Sequence, residues 1–137
     1  ELDTMLNRRS GLLGVSGASN DVRDLEDKAH DGNEQATLAL EMFAYRVRKY
    51  VGAYLAVLDG CDGLVFTGGI GENAAGMRKR ILDGLGSLGI VLDTGHNADV
   101  HGEEAIVSKQ GSRPTVLVVP TDEEAAIASD TFDIVST

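Results

Sequence analysis

From Asn33 to Leu58 the apolar residues Ala36, Leu40, Phe43, Val47, Val51, Tyr54 and Leu58 recur at steps of four, three, four, four, three and four. That spacing tracks the turn of an α-helix and predicts one long amphipathic helix, stopped by Gly60. Gly52 inside it costs about 1 kcal/mol against alanine, which predicts close approach of another element at that point. Further on, Leu64 to Thr67 reads as a short buried strand, Glu72 to Leu88 as a second helix closed by Gly89, and Ile90 to Leu92 as another short strand. Asp93 to Gly102 reads as a polar loop. Ala105 to Val107 and Thr115 to Val119 read as two more strands, with Pro120 ending the last and Thr121 starting a final helix.

Ahead of the long helix, Leu2 to Arg8 reads as part of an element, residues 11 to 20 are rich in turn formers, and Asp21 to Lys28 reads as a short polar helix capped by Ser19 or Asn20. Strands alternating with helices, and an unbroken apolar run in the last strand, predict an α/β fold in layers, a short, mostly parallel sheet flanked by helices. Neither an internal repeat nor a linker divides the chain, so residues 1 to 137 are expected to form one domain.

A chain of 137 residues with 42% hydrophobic side chains can bury a single core. No apolar run approaches the ~20 residues that span a bilayer, and no signal peptide opens the sequence. The lone Cys61 suits a reducing compartment and reads as a small hydrophobe before a strand, so a soluble, cytoplasmic protein is expected. A net charge of −10 disfavours nucleic acid as a partner. The basic clusters Arg46, Arg48, Lys49 and Arg78, Lys79, Arg80 fall within helical patterns and read as solvated faces.

Three segments could carry chemistry. Gly68-Gly69-Ile70-Gly71-Glu72-Asn73 follows a strand and runs into a helix, the arrangement in which glycines admit a close ligand and free N–H groups meet its phosphates. As Gly69-x-Gly71-x-x-Ala74, with Asp93 about 20 residues on as a ribose acid, it fits a dinucleotide site of an NAD-binding oxidoreductase; it also fits a mononucleotide site or a plain tight turn. Pro120-Thr121-Asp122-Glu123-Glu124 offers carboxylates at the end of a buried strand, where magnesium could bind through Glu123. Thr121 and Glu124 alternatively make a capping box. Gly14-Val15-Ser16-Gly17 leading to Ser19-Asn20-Asp21-Val22-Arg23 could cradle polar groups of a nucleotide, though no Walker lysine follows. His30, His96 and His101 lack metal-like partners and read as surface residues.

Taken in order, Ser10-Gly-Leu-Leu-Gly-Val-Ser-Gly17, Asp21-Val-Arg-Asp-Leu25, Met42-Phe-x-Tyr-Arg-Val-Arg-Lys-Tyr-Val-Gly-Ala-Tyr54, Val65-Phe-Thr-Gly-Gly-Ile-Gly-Glu-Asn73 and Pro120-Thr-Asp-Glu-Glu124 resemble the carboxy-terminal portion of the acetate kinase family. The resemblance implies an actin-like, ribonuclease-H-like fold, ATP or ADP with magnesium as cofactors, and reversible transfer of the γ-phosphoryl group to acetate or another short carboxylate. By position it implies that Asp21, Val22 and Arg23 contact nucleotide, that Gly69, Ile70, Gly71, Glu72 and Asn73 form the adenosine-binding turn, and that Glu123 is the magnesium-associated carboxylate. Asp93 thereby loses its ribose role. The long helix would belong to a domain that also mediates homodimer contact. The family's catalytic Asp, phosphate-facing His and acetate-pocket Arg match nothing in this chain, so no catalytic residue is assigned here and the piece alone is expected to be inactive. Apart from the NAD reading, the competing expectation is a non-catalytic dimerisation domain.

Overall fold

The computed structural model describes Glu1–Ser136. Three helices come first: α1, Leu2–Arg8; α2, Gly11–Ser16; and α3, Val22–His30. The long helix follows as α4, Glu34–Val57, its start capped by Asn33, whose side-chain oxygen accepts the Ala36 amide at 2.9 Å. Ala36, Ala39, Leu40 and Ala44 are buried, and Phe43, Val47 and Val51 lie half-buried against them. α2, α3 and a later helix pack along this stripe. Tyr54 and Leu58 continue the same periodicity but are 60% and 63% exposed, because the helix outruns the elements that cover it. A side-chain carbon at Gly52 would meet nothing within 4 Å, so the close approach expected there does not occur.

After α4 come β1, Gly63–Phe66; α5, Gly68–Asn73; α6, Ala75–Leu82; a 3-10 turn, Gly86–Leu88; α7, Thr94–Asp99; β2, Ala105–Ile106; β3, Thr115–Val118; and α8, Glu123–Val135. The sheet order is β1-β3-β2, with β1 parallel and β2 antiparallel to β3, so the mostly parallel expectation holds for one of the two pairings. Its register sorts the two faces. Leu64 pairs with Val116, and Phe66 and Ala105 both pair with Val118, on the side turned to the core. Val65, Leu117 and Ile106 form a row across the other side, where Val65 and Ile106 are more than half exposed.

Several expected elements are corrected. The stretch 72 to 88 is not one helix: the backbone turns at Ala74 (φ −95°, ψ 78°), α6 ends before Gly84 at φ +82°, and Gly89 closes only the 3-10 turn. Ile90 to Leu92 forms no strand, only a single bridge from Leu92 to Ser108. The supposed polar loop from Asp93 contains α7, and the turn-rich segment 11 to 20 contains α2, ended by Gly17 at φ +64°. Among the described residues no helix is long and apolar enough to cross a membrane.

Candidate functional site

β1 delivers the chain to the glycine turn. Thr67 is still extended, Gly68 takes φ +70°, which favours glycine, and α5 begins there. Gly71 is required for a different reason: a side-chain carbon would sit 3.1 Å from the Phe66 carbonyl carbon, so the turn folds directly back onto the strand end. At Gly69 the same atom would meet nothing within 4 Å.

Gly69 lines a cleft of about 460 Å³. Gly69, Ile70 and Asn73 line one wall, and Asn20, Asp21, Val22 and Arg23 line the other, so two segments nearly fifty residues apart in sequence converge. Leu12, Glu26 and Ala74 complete it. Gly71 and Glu72, expected to contact nucleotide in the same turn, do not line the cleft.

Asp21 caps α3, in place of the expected Ser19 or Asn20: one carboxylate oxygen accepts the Arg23 amide at 2.8 Å and the other accepts the Arg23 guanidinium at 2.7 Å. Arg23's hydrogen bonds hold the Asp21 carboxyl down at about 2. Ser19 instead accepts the Asp21 amide and donates to Asp24. The Arg23 side chain remains 84% exposed and reachable. Glu26 behaves oppositely: partial burial raises its carboxyl above the usual range, against a smaller lowering by Arg80. Gly76 makes room for it, since a side-chain carbon there would come within 2.7 Å of the carboxylate.

Glu72 is a clamp. One carboxylate oxygen accepts the Gly68 amide at 2.8 Å, the Thr121 amide at 2.9 Å and the Thr121 hydroxyl at 3.0 Å. These bonds, the Thr121 ones foremost, lower its pKa and tie the glycine turn to the end of β3. Thr121 is therefore not the helix cap expected of it. Asp122 is, accepting the Ala125 amide at 2.9 Å, which leaves Glu124 outside any capping box. Glu123 opens α8 as an exposed residue, two positions beyond the clamp and hence within about 7 Å of it along the backbone.

Among the described residues no three His, Cys, Asp or Glu side chains group to hold a metal. Glu123 stands there as a single exposed carboxylate, and magnesium commonly takes one or two carboxylates with phosphate oxygens and water in the rest of its shell. Asp93 caps α7 by accepting the His96 amide at 3.1 Å and does not line the cleft, so the ribose role in the NAD reading is not met. All three histidines are exposed.

Sequence reasoning missed the residue that holds the turn from behind. Arg78, expected on a solvated face, is fully buried. It donates to the Gly71 and Glu72 carbonyls, both at 2.9 Å, to Asn97 Oδ1 at 2.7 Å, and to the Asn97 and Val100 carbonyls at 2.9 and 2.8 Å. Arg48, from the other basic cluster, likewise turns inward to the Ile81 and Arg80 carbonyls. The signal for Arg78 was present in helical spacing: Ala74, Ile81 and Leu82, at −4, +3 and +4, are all buried.

Residues 1–129 match the model of the acetokinase family. The chain is 56% identical to the acetate kinase of Methanosarcina barkeri and 53% identical to that of Methanosarcina thermophila, each over all of this chain and 33% of the relative. Among solved structures it resembles the acetate kinase of Porphyromonas gingivalis (TM-score 0.89, 50% identity, 98% of this chain and 34% of that one). It also resembles a propionate kinase from Francisella tularensis (TM-score 0.83, 42% identity, 93% of this chain and 32% of that one). The chain thus spans about a third of the length of the relatives it matches. The sheet with its flanking helices has the actin-like fold of these kinases, and the chain belongs to the acetokinase family.

Proposed function

We propose that this chain is the carboxy-terminal, nucleotide-binding part of a cytoplasmic acetate kinase, holding the adenosine side of ATP or ADP. The observation that carries the reading is the convergence of Asp21-Val22-Arg23 with Gly69, Ile70 and Asn73 on one cleft. Its chemistry suits a base and sugar. Leu12, Val22, Ile70 and Ala74 offer apolar surface to a ring, and the Asp21 and Glu26 carboxylates accept hydrogen bonds from hydroxyl and amine groups. Two carboxylates and one arginine make a poor cradle for three phosphates. The phosphates therefore lie toward the open end of the cleft, with Arg23 as the cation in reach.

In the whole protein the γ-phosphoryl group passes reversibly between ATP and acetate or another short carboxylate, giving acetyl phosphate and ADP. Phosphoryl transfer is catalysed by positioning and charge stabilisation around the γ-phosphate. This chain's share is to bind and orient the nucleotide: the Glu72 clamp fixes the turn, and Arg23 stands beside the phosphate path. Glu123 would hold magnesium, which when bound supplies positive charge to the phosphate oxygens. No residue here is assigned to the transfer itself, so the 137-residue piece alone is inactive. Two copies pair through the α4 region, whose Met42, Tyr45 and Tyr50 are exposed.

In the full-length protein, Glu123→Ala lowers magnesium-dependent turnover with acetate and ATP while the circular dichroism spectrum stays unchanged. Unchanged turnover across a magnesium series removes Glu123 from that role.

A further inference from the structure

Arg78 is a fully buried cation whose five N–H groups each have an acceptor, and all five acceptors are neutral amide oxygens. Four are main-chain carbonyls, and they come from the carboxy-terminal ends of two short helices: Gly71 and Glu72 of α5, Asn97 and the cap residue Val100 of α7. Carbonyls there lack helical partners and carry the negative end of the helix dipole, so one guanidinium satisfies and neutralises both ends. Burial pulls its pKa down from the ordinary value, yet an arginine remains charged. Asn97, itself buried, completes the link by donating to the Ala75 carbonyl at 3.0 Å. The Gly102 amide adds a bond to the Glu72 carbonyl at 3.1 Å.

We propose that Arg78, with Asn97, is the positioning residue of the glycine wall: it sets the path of Gly69–Asn73 from behind and so sets nucleotide affinity without touching the nucleotide. The proposal rests on the reading of the cleft as a nucleotide site. The front of α5 lines the cleft through Gly69, Ile70 and Asn73, while its last carbonyls are held by Arg78. Lysine keeps the charge but has three donors without the planar fork, so Arg78→Lys strips at least two of the five acceptors of their arginine bond, only the Glu72 carbonyl keeping a second donor in the Gly102 amide, and frees the turn to shift.

The test uses the full-length protein and four forms: unsubstituted, Arg78→Lys, Asn97→Ala, and Val107→Ala as a core control, buried but outside the cleft. Tm, ADP Kd, kcat and the KM values for ATP and for the carboxylate are measured on each. Arg78→Lys raises ADP Kd and ATP KM about tenfold or more and Asn97→Ala about threefold, with carboxylate KM within about twofold, because displacement of a wall is felt by the ligand on that wall. Val107→Ala lowers Tm without moving ATP KM. Substituted forms that lose Tm while nucleotide Kd and KM stay at the unsubstituted values overturn the proposal, as does a control that shifts them equally. If neither substituted form folds, hydrogen exchange on the unsubstituted protein decides: ADP slows exchange of the Gly102 amide, and no change in it overturns the proposal. An unsubstituted protein that binds no ADP contradicts the nucleotide reading itself, a result distinct from tight ADP binding by both variants.

Discussion

Asp21 gives α3 its cap and Arg23 its ion-pair partner with a single carboxylate, and that double duty is measurable. Its carboxyl sits at about 2 in the folded chain against an ordinary value of 3.8. A depressed folded value means the contribution to stability is complete above the unfolded value and is lost as pH falls through the folded one. The window is therefore about pH 4 down to about 2. Following the Asp21 carboxyl by NMR gives a midpoint near 2, and Arg23→Ala moves it up toward the ordinary value; a midpoint unmoved by that substitution contradicts the pairing. Glu72 shifts in the same direction through its bonds from Thr121 and Gly68, so its clamp also loosens on acidification. At the far end, Asp122→Ala costs α8 about 0.5–2 kcal/mol for the lost cap, whereas Glu124→Ala costs little. Because every residue of α8 is exposed, the loss appears as local fraying in amide exchange of the helix; equal effects of the two substitutions would restore the capping box.

The two glycines on either side of Ile70 separate structural from ligand-facing roles within one short element. Gly69→Ala meets no atom and replaces a helical glycine, so it leaves Tm unchanged or raises stability by about 0.5–1 kcal/mol, while a methyl added at this cleft-lining position weakens ADP binding. Gly71→Ala pushes against the Phe66 backbone and lowers Tm. The reverse pattern in thermal melts contradicts the geometry of the turn. α4 was legible in the sequence because its apolar positions keep the helical period over six turns and Asn33 supplies a cap. The break between α5 and α6 was not legible. The apolar pattern runs through Ala74, and the contacts around the bend leave no mark in it: Gly71 pressed on Phe66, Arg78 gathering the α5 carbonyls, and Glu26 reaching Gly76 from fifty residues away. Thr121 was mistaken for the cap for the same reason, since its partner Glu72 is forty-nine residues away.

At the scale of the whole molecule, one face of the sheet and the last helix are uncovered. Val65, Leu117 and Ile106 line the open face, and Ile127, Phe132 and Ile134 of α8 are exposed. Relatives three times as long have ample chain to cover such surfaces. The fold class and both walls of the cleft were readable from motif order, because Asp21-Val22-Arg23 and Gly69–Asn73 are local signals. Their convergence was not readable, since it depends on how α3 and α6 lie along α4. The central claim is that this convergence makes a site for the adenosine side of ATP or ADP. Titrating ADP, and separately NAD, into the isotope-labelled protein while following amide resonances tests it most directly. ADP should shift Val22, Arg23, Gly69, Ile70 and Asn73 together, with NAD leaving them in place; shifts centred on Asp93 and His96, or a cleft that ignores ADP, would contradict the account.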